Sequence, residues 1–451
     1  LAETARHVDN LIVGAGLVGS MTGWILAQQG YPALMLEASD TPGGVNGSFR
    51  DALGNLFDHG RHVINADRSP FTSHFFTAVL GGAVRRFNLE TGIFVHGHLI
   101  PYAAPLEQWP EPLRARIRLD ERAPPVRVGS DRAAFARAYG GWFADLVFEE
   151  MLEAFPTLRW KRSRGCPEAL LMDWIFPWFF PVSRVEAAPD PETEAGVYSA
   201  ESRDYHYRAR HARPPRTEVL YPDREGFGRW IDAMLEQCRR SVEVMLGVRD
   251  LRFDFEPGSA RLRAVAANGC RYTAERVFWC APLPVLCRQL DWTLPRGQPQ
   301  SELLGSFAFA RPVATPYHDI LFADPAHLVR RVNFPERLFG GSGSRTLQVE
   351  FTCPDDEYGF DAPEWRERWL ASLIATGVVA PDNAVLNFDF KRLSRGILTL
   401  EDLDGFVTGC RRRLDESDTN LVAPRLSAAS DNNSRLVPEV FRRVYDALLD
   451  A

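Results

Sequence analysis

Three glycines, a carboxylate and a second pair of glycines carry the first chemistry in this chain. Gly14, Gly16 and Gly19 stand in a G-x-G-x-x-G spacing, and Glu37 follows 18 residues past Gly19. Gly43 and Gly44 come six and seven residues after Glu37, within LEASDTPGGVNGSF (36–49). The first glycine of such a motif permits a tight turn. The second lets a pyrophosphate approach the main chain, and the third lets a helix pack closely on a strand. The helix N-terminus then offers free N–H groups and a partial positive charge to phosphate. A carboxylate at the spacing of Glu37 accepts hydrogen bonds from the hydroxyls of an adenosine ribose. These residues predict a dinucleotide-binding turn. His62 is a candidate proton carrier, because an imidazole ordinarily titrates near neutral pH. No Ser-His-Asp or Cys-His set stands in a diagnostic context, and no H-E-x-x-H or similar metal-ligand spacing occurs, so no metal is expected.

The elements that must position these residues are legible around them. Leu11, Ile12 and Val13 form the short apolar run of a buried parallel strand. A helical pattern follows through Trp24, Ile25 and Leu26, and Gly30 stops it. A second apolar run, Ala33 to Leu36, delivers Glu37, which completes the β-α-β context that the glycine motif requires. Further on, YPDREGFGRWIDAML (221–235) reads as a turn and helix, and SVEVMLGV (241–248) as a strand. VFWCAPLPVL (277–286) reads as a strand with a proline-containing turn, and Asn420 to Val422 as another strand. An amphipathic helix is expected to begin near Pro438, with Val440, Phe441, Val444 and Leu448 on its buried face. IFVHGHLIPY (93–102) reads as a hairpin, and FADLVFEEMLEAFPTLRW (143–160) has helical spacing that ends near Pro156. HLVRRVNFPERL and RTLQVEFTC alternate as antiparallel strands do.

The order Glu37, Gly43-Gly44, then FDHGRHVIN (57–65) resembles the extended fingerprint of the FAD-dependent amine oxidase, protoporphyrinogen oxidase and UDP-galactopyranose mutase superfamily. The likeness touches most of the chain and is most specific at 10–65 and 420–449. It implies FAD rather than NAD as the cofactor. It also implies that Gly14, Gly16, Gly19, Glu37, Ala38, Gly43, Gly44, Val45 and His62 lie at that cofactor, with Val244 at the adenine. Arg425, Asn433 and Leu436 would belong to a C-terminal return, where a helix N-terminus faces the flavin pyrimidine. The implied fold is α/β: a discontinuous Rossmann-like FAD-binding domain built on a parallel sheet (1–65, 221–290 and 395–451), a mainly helical insertion (66–220) and an antiparallel-sheet substrate region (291–394).

Two segments resemble the mutase branch in particular. TLRWKR (157–162) places Trp160 near substrate, and PVSR (181–184) places Arg184 at a diphosphate, which Arg425 would also meet. An arginine's planar fork donates to two phosphate oxygens at once. The chain departs from that branch elsewhere. Asp431 and Asn433 stand where the mutases carry tyrosine and aspartate, Asn65 replaces a second histidine, and no arginine-rich strand follows RVNFPE (331–336). The resemblance therefore implies an FAD-dependent oxidoreductase acting on a small molecule, with a reduced-flavin mutase acting on a nucleotide sugar as the alternative.

Composition bounds the rest. The chain has 451 residues, enough for two or three interleaved domains, with 45% apolar and 25% charged residues. A net charge of −7 argues against nucleic acid or an anionic membrane as the main partner, while leaving room for a local arginine pocket. The cysteine count of seven is odd and includes no C-x-x-C pair, which fits free thiols in a reducing cytoplasm. No signal peptide is visible, and no apolar run is long and continuous enough to span a membrane. A homodimer is compatible with all of this.

Overall fold

A computed structural model describes residues 4–66, 69–102, 104, 108–118, 120, 123, 131–163, 218–294, 297–354, 357–400, 403–417, 419–424 and 433–449. The first segment runs β1 (Thr4–Val13), α1 (Leu17–Gln28), β2 (Ala33–Leu36), β3 (Ser48–Arg50), β4 (Leu56–Asp58), β5 (Ile64–Asn65), α2 (Pro70–Val79) and β6 (Val84–Asn88). Next come β7 (Thr91–Val95), β8 (His98–Pro101), α3 (Arg132–Tyr139) and α4 (Pro156–Ser163). The chain continues with β9 (Glu218–Pro222), α5 (Arg229–Cys238), β10 (Val242–Met245), β11 (Arg252–Phe255), β12 (Leu262–Ala267), β13 (Cys270–Trp279) and α6 (Leu283–Gln289). It ends with β14 (Gly297–Val313), β15 (Asp319–Phe322), β16 (Arg331–Asn333), β17 (Ser344–Pro354), α7 (Ala362–Ala375), β18 (Val385–Leu400), α8 (Leu403–Asp415), β19 (Leu421–Val422) and α9 (Asn433–Leu449). Among the described residues no helix is long and apolar enough to cross a membrane.

Two compact units result. The first comprises 1–87, 218–299 and 395–451. Its main sheet has the order β10-β2-β1-β13-β12-β11, with β19 also paired to β13. β10, β2, β1, β13 and β19 are parallel, and β12 and β11 add an antiparallel edge. Parallel strands are covered on both faces, which is why Leu11–Val13 and all of β2 are buried. β1 starts well before the expected Leu11, because Thr4 to Asn10 pair with Cys270 to Arg276 as a mostly exposed ribbon that has no apolar run to reveal it.

The first unit also takes in α2, which corrects the expected insertion boundary at residue 66. Phe75 and Phe76 of α2 pack edge-on against Trp24, Trp230 and Phe441, and Trp230 Nε1 donates to Phe76 O at 2.8 Å. Those aromatic contacts hold α2 to α1, α5 and α9.

The second unit comprises 88–217 and 300–394, so the two inserted stretches build one unit rather than a helical region and a separate sheet. Its sheet has the order β18-β14-β17-β16-β15-β7-β8. The β7–β8 hairpin turns through His96 and Gly97, both at positive φ (47° and 77°), the backbone a two-residue hairpin turn requires. Alternate residues of β7 and β15 face opposite ways. Ile93, Val95 and Leu321 join a core with helical residues of 135–158, while Phe94, Ile320 and Phe322 join one with Trp365 and Trp369 of α7. The helical stretch breaks at Phe155, and Pro156 opens α4, where a proline's missing N–H costs nothing.

Gly305 of β14 is set tightly against α7. A Cβ there would lie 2.4 Å from the ring of Trp369, whose Nε1 donates to Leu328 O at 2.7 Å and whose ring packs 4.8 Å from that of Trp365. The indole cannot yield without breaking both contacts. Gly305→Ala is expected to cost about 1–3 kcal/mol by overpacking, read as a lowered urea midpoint, and an unchanged midpoint would show that the ring can give way.

Candidate functional site

The glycine turn that follows β1 is built by contacts that admit no side chain. Gly14 has φ +102° and donates its N–H to Leu36 O at 2.8 Å, and a Cβ on it would lie 3.2 Å from the Cys280 carbonyl carbon. A Cβ on Gly19 would lie 1.9 Å from Gly14 O, so the start of α1 can meet the end of β1 only through glycine. Gly16 differs from both. The nearest heavy atom to its would-be Cβ is Gly43 O at 3.9 Å, which leaves open space above the turn. Gly16 is also the N-cap of α1, with no side-chain cap and no acidic residue in the first turn. The leading amides of α1 are thus left to an external anion.

The second glycine pair borders the same space. Gly43 (φ +114°) donates its N–H to Ala15 O at 2.9 Å and makes a parallel bridge with Gly16. Gly44 (φ +55°) follows, exposed, and its carbonyl stands 2.9 Å from His59 Nδ1. Positive φ at both positions explains a pair of glycines here.

Glu37 directly follows β2, with its carboxylate already aimed. Oε2 accepts from Ala15 N at 2.7 Å, and Oε1 accepts from Ser39 N at 2.8 Å. β10 runs parallel beside β2, with Val244 opposite Met35. Glu37 N donates to Met245 O, and Val248 N donates to Glu37 O, both at 2.9 Å. Half-buried Val244 and exposed Leu246 thus lie along the segment that holds Glu37 and the exposed Ala38. Val45 is 40% exposed beside the glycine pair. The structure therefore gathers Gly14, Gly16, Gly19, Glu37 and Gly43 around one turn, and sets Val244 on the strand next to Glu37.

Sequence reasoning missed the group that braces this region. Asp58, at the end of β4, is buried. Its Oδ1 accepts from Ser48 Oγ at 2.6 Å and Phe227 N at 2.9 Å, and its Oδ2 accepts from Tyr221 OH at 2.6 Å. Gly228 N closes the set by donating to Ser48 Oγ at 2.8 Å. Burial, reinforced by the Asp58 charge, pushes the Tyr221 phenol well above its usual range, so Tyr221 stays a donor. A Cβ on Gly226 (φ +76°) would meet Ser48 Oγ at 2.5 Å and Asp58 Oδ1 at 2.6 Å. The signal lay in YPDREGFG, whose tyrosine and glycines supply three of these contacts. His62 belongs to the same region: its Nε2 is 3.1 Å from His59 O, and its ring lies 5.3 Å from that of Phe227.

Other predicted residues fall elsewhere. Arg184 and Arg425 lie outside the described residues. Trp160 is in α4 and Asn433 opens α9, with only their backbones described. Leu436 is buried in α9. α9 begins at Asn433 rather than near Pro438, which lies inside it. The proline removes one backbone bond, and buried Val437, Val440 and Val444 hold the helix by packing. Phe441 and Leu448 are only half-buried.

The second unit has a polar sheet face of its own. Arg331 donates to Glu350 Oε2 at 3.1 Å, and Asn333 Nδ2 donates to Glu350 Oε1 at 2.9 Å and Gln348 Oε1 at 3.2 Å. Gln348 Nε2 donates to Ser306 Oγ at 3.1 Å, and Thr91 Oγ1 donates to Asp319 Oδ1 at 2.5 Å. Arg330 donates to Thr352 Oγ1, which donates to Glu302 Oε2. Glu302, Asp319 and Glu350 are all buried here.

The Asp58 brace can be tested directly. Tyr221→Phe leaves a buried carboxylate oxygen without this donor and is expected to lower stability by about 1–3 kcal/mol, seen as an earlier urea midpoint. An unshifted midpoint would mean that the bond carries no net weight.

Comparison with known proteins agrees with this geometry. The NAD(P)-binding Rossmann-like domain family matches residues 12–79, which hold the glycine turn, Glu37 and the second glycine pair. No curated protein matches the sequence. Among solved structures, a reduced UDP-galactopyranose mutase is similar at 16% identity and a TM-score of 0.70, over 98% of this chain and 96% of that one. A candidate protoporphyrinogen oxidase from Exiguobacterium sp. 255-15 is 14% identical with a TM-score of 0.63, over 98% and 99% of the two chains. A putrescine oxidase bound to putrescine is 15% identical with a TM-score of 0.56, over 99% and 100%. Over nearly its whole length, the chain shares the α/β fold of these three structures.

Proposed function

We propose that this protein is an FAD-dependent oxidoreductase that acts on a small organic molecule. The observation that carries the reading is the open space over Gly16, bordered by the uncapped N-terminus of α1, the Gly43-Gly44 pair and a fixed Glu37 carboxylate. The leading amides of α1 and the main chain at Gly16, Gly43 and Gly44 would hold the pyrophosphate. Glu37 would accept from the adenosine ribose, with Ala38 beside it, and Val244 and Leu246 would border the adenine. Val45, Arg425, Asn433 and Leu436 would complete the cofactor site. FAD, when bound, supplies a two-electron acceptor for a hydride from a substrate carbon.

The chain's own residues do the rest. The Asp58 network holds the loop that carries His62, so that the imidazole can move a proton from a fixed position. Trp160, Arg184 and Arg425 are the proposed substrate contacts. The sheet of the second unit is proposed as part of the substrate region. The six described cysteines are free thiols, which supports a reducing cytoplasm.

One observation favours a second reading, a reduced-flavin isomerase of nucleotide sugars: the likeness to a UDP-galactopyranose mutase, at a TM-score of 0.70. Asp431, Asn433 and Asn65 weigh against it, since the groups expected there are absent.

A visible spectrum of the purified protein, followed anaerobically during additions, separates these readings. Flavin bands that bleach with a small-molecule substrate are the expected result. Bands that stay oxidised, with conversion of a nucleotide sugar only after dithionite reduction, would establish the isomerase. No bands even after adding FAD would sink both. A companion variant locates the site. Gly16→Val has room for its Cβ, so the chain should fold with unchanged circular dichroism, but the side chain fills the cradle and at least about tenfold of the FAD affinity should be lost. Full flavin retention would place the phosphates elsewhere.

A further inference from the structure

Outside the glycine turn, one set of side chains has the makings of a metal site. It sits on the ribbon that extends β1 and β13 beyond the buried sheet. The parallel register pairs His7 with Thr273, Val8 with Ala274 and Asn10 with Arg276, which sets Asp9 level with Glu275. Residues two apart on a strand share a face, so His7 and Asp9 point the same way, and Glu275 joins them from the next strand. One ligand atom from each of the three lies within 4.8 Å of the others. All three residues are exposed, so an ion can enter from solvent.

Two features set this trio apart from ordinary surface charge. Like charges directly opposite on neighbouring strands destabilise a sheet. Other acids nearby are neutralised, Glu243 by Arg6 and Asp254 by Arg271, yet among the described residues neither Asp9 nor Glu275 has a cationic partner. Arg276, the closest guanidinium in register, is instead turned to Asn10 Oδ1 at 3.1 Å and to the ring of Tyr31. His7 is oriented by a second contact, with Thr273 Oγ1 3.0 Å from its Nδ1. A hydrogen-bonded partner of this kind orients a ligating imidazole.

We propose that His7, Asp9 and Glu275 bind one divalent transition-metal ion of the Zn2+ class, bridging β1 to β13. One imidazole and two carboxylates form the mixed N/O set such ions accept, with ligand bonds of about 2.0–2.2 Å, and water completes the shell. An all-oxygen preference makes Ca2+ and Mg2+ poor occupants. The ion relieves the Asp9–Glu275 repulsion and clamps the ribbon that leads into the Gly14 turn. Metal-ligand spacing could not be read from the sequence, because the third ligand comes from a strand more than 260 residues away.

The test uses the full chain, stripped with EDTA and free of affinity tags, titrated with ZnCl2 in a calorimeter. The expected result is one bound equivalent and a Zn2+-dependent rise in melting temperature. His7→Ala and Glu275→Gln should each weaken that equivalent by about tenfold or more and abolish the melting shift. Both changes are at exposed positions, and circular dichroism checks that folding is intact. Absence of a stoichiometric equivalent in the unaltered protein would overturn the proposal. So would an equivalent kept at full affinity in both variants, which would place the ion elsewhere on the chain.

Discussion

The contact between Gly19 and the carbonyl of Gly14 is the constraint on which the first unit depends. A single methyl group at position 19 would come within 1.9 Å of that oxygen. The approach lets α1 start directly over the end of β1, and its axis then points its free amides at the space above Gly16. Everything nearby respects that geometry. Gly43 bonds to Ala15 across the turn, Glu37 bonds to Ala15 N from below, and Gly14 N bonds to Leu36 O. Three short main-chain-level contacts therefore align β1, β2 and the second glycine pair before any ligand arrives. This is preorganisation in a physical sense: the groups that would meet a dinucleotide are fixed by bonds to the fold itself.

The Asp58 network extends the same rigidity to the loop that carries His59 and His62. A buried carboxylate is costly unless its oxygens are satisfied, and here both are, by a hydroxyl and an amide on one side and a phenol on the other. The donors come from β3, β9 and the turn before α5. The network thus joins parts of the chain more than 160 residues apart. Its parts have little meaning singly, since Ser48, Asp58 and Tyr221 are each unremarkable residues.

The second unit uses the alternation of strands to keep two environments apart. One face of its sheet is closed by Trp365, Trp369 and a cluster of phenylalanines, and Gly305 is small because an indole occupies its place. The opposite face changes from Ile93, Val95 and Leu321 to Glu302, Asp319, Asn333, Gln348 and Glu350. Buried polar side chains in mutual hydrogen bonds specify one arrangement and tolerate few others. The face is therefore a structural network that fixes the pairing of its strands.

The sequence by itself determined the glycine turn, the strand and helix on either side of it, the place of Glu37 just after the second strand and the α/β class of the fold. Each of those is local: a few neighbouring residues with a sharp steric or electrostatic requirement. Boundaries were less legible where packing decides them. β1 begins at Thr4 because β13 is there to pair with it, and α9 runs through Pro438 because buried valines hold it. α2 belongs to the first unit through aromatic contacts with α1, α5 and α9. The Asp58 brace, the polar sheet face and the His7–Asp9–Glu275 trio were decided only by tertiary structure. Their members lie far apart in the chain, and only strand register and side-chain burial bring them within bonding distance.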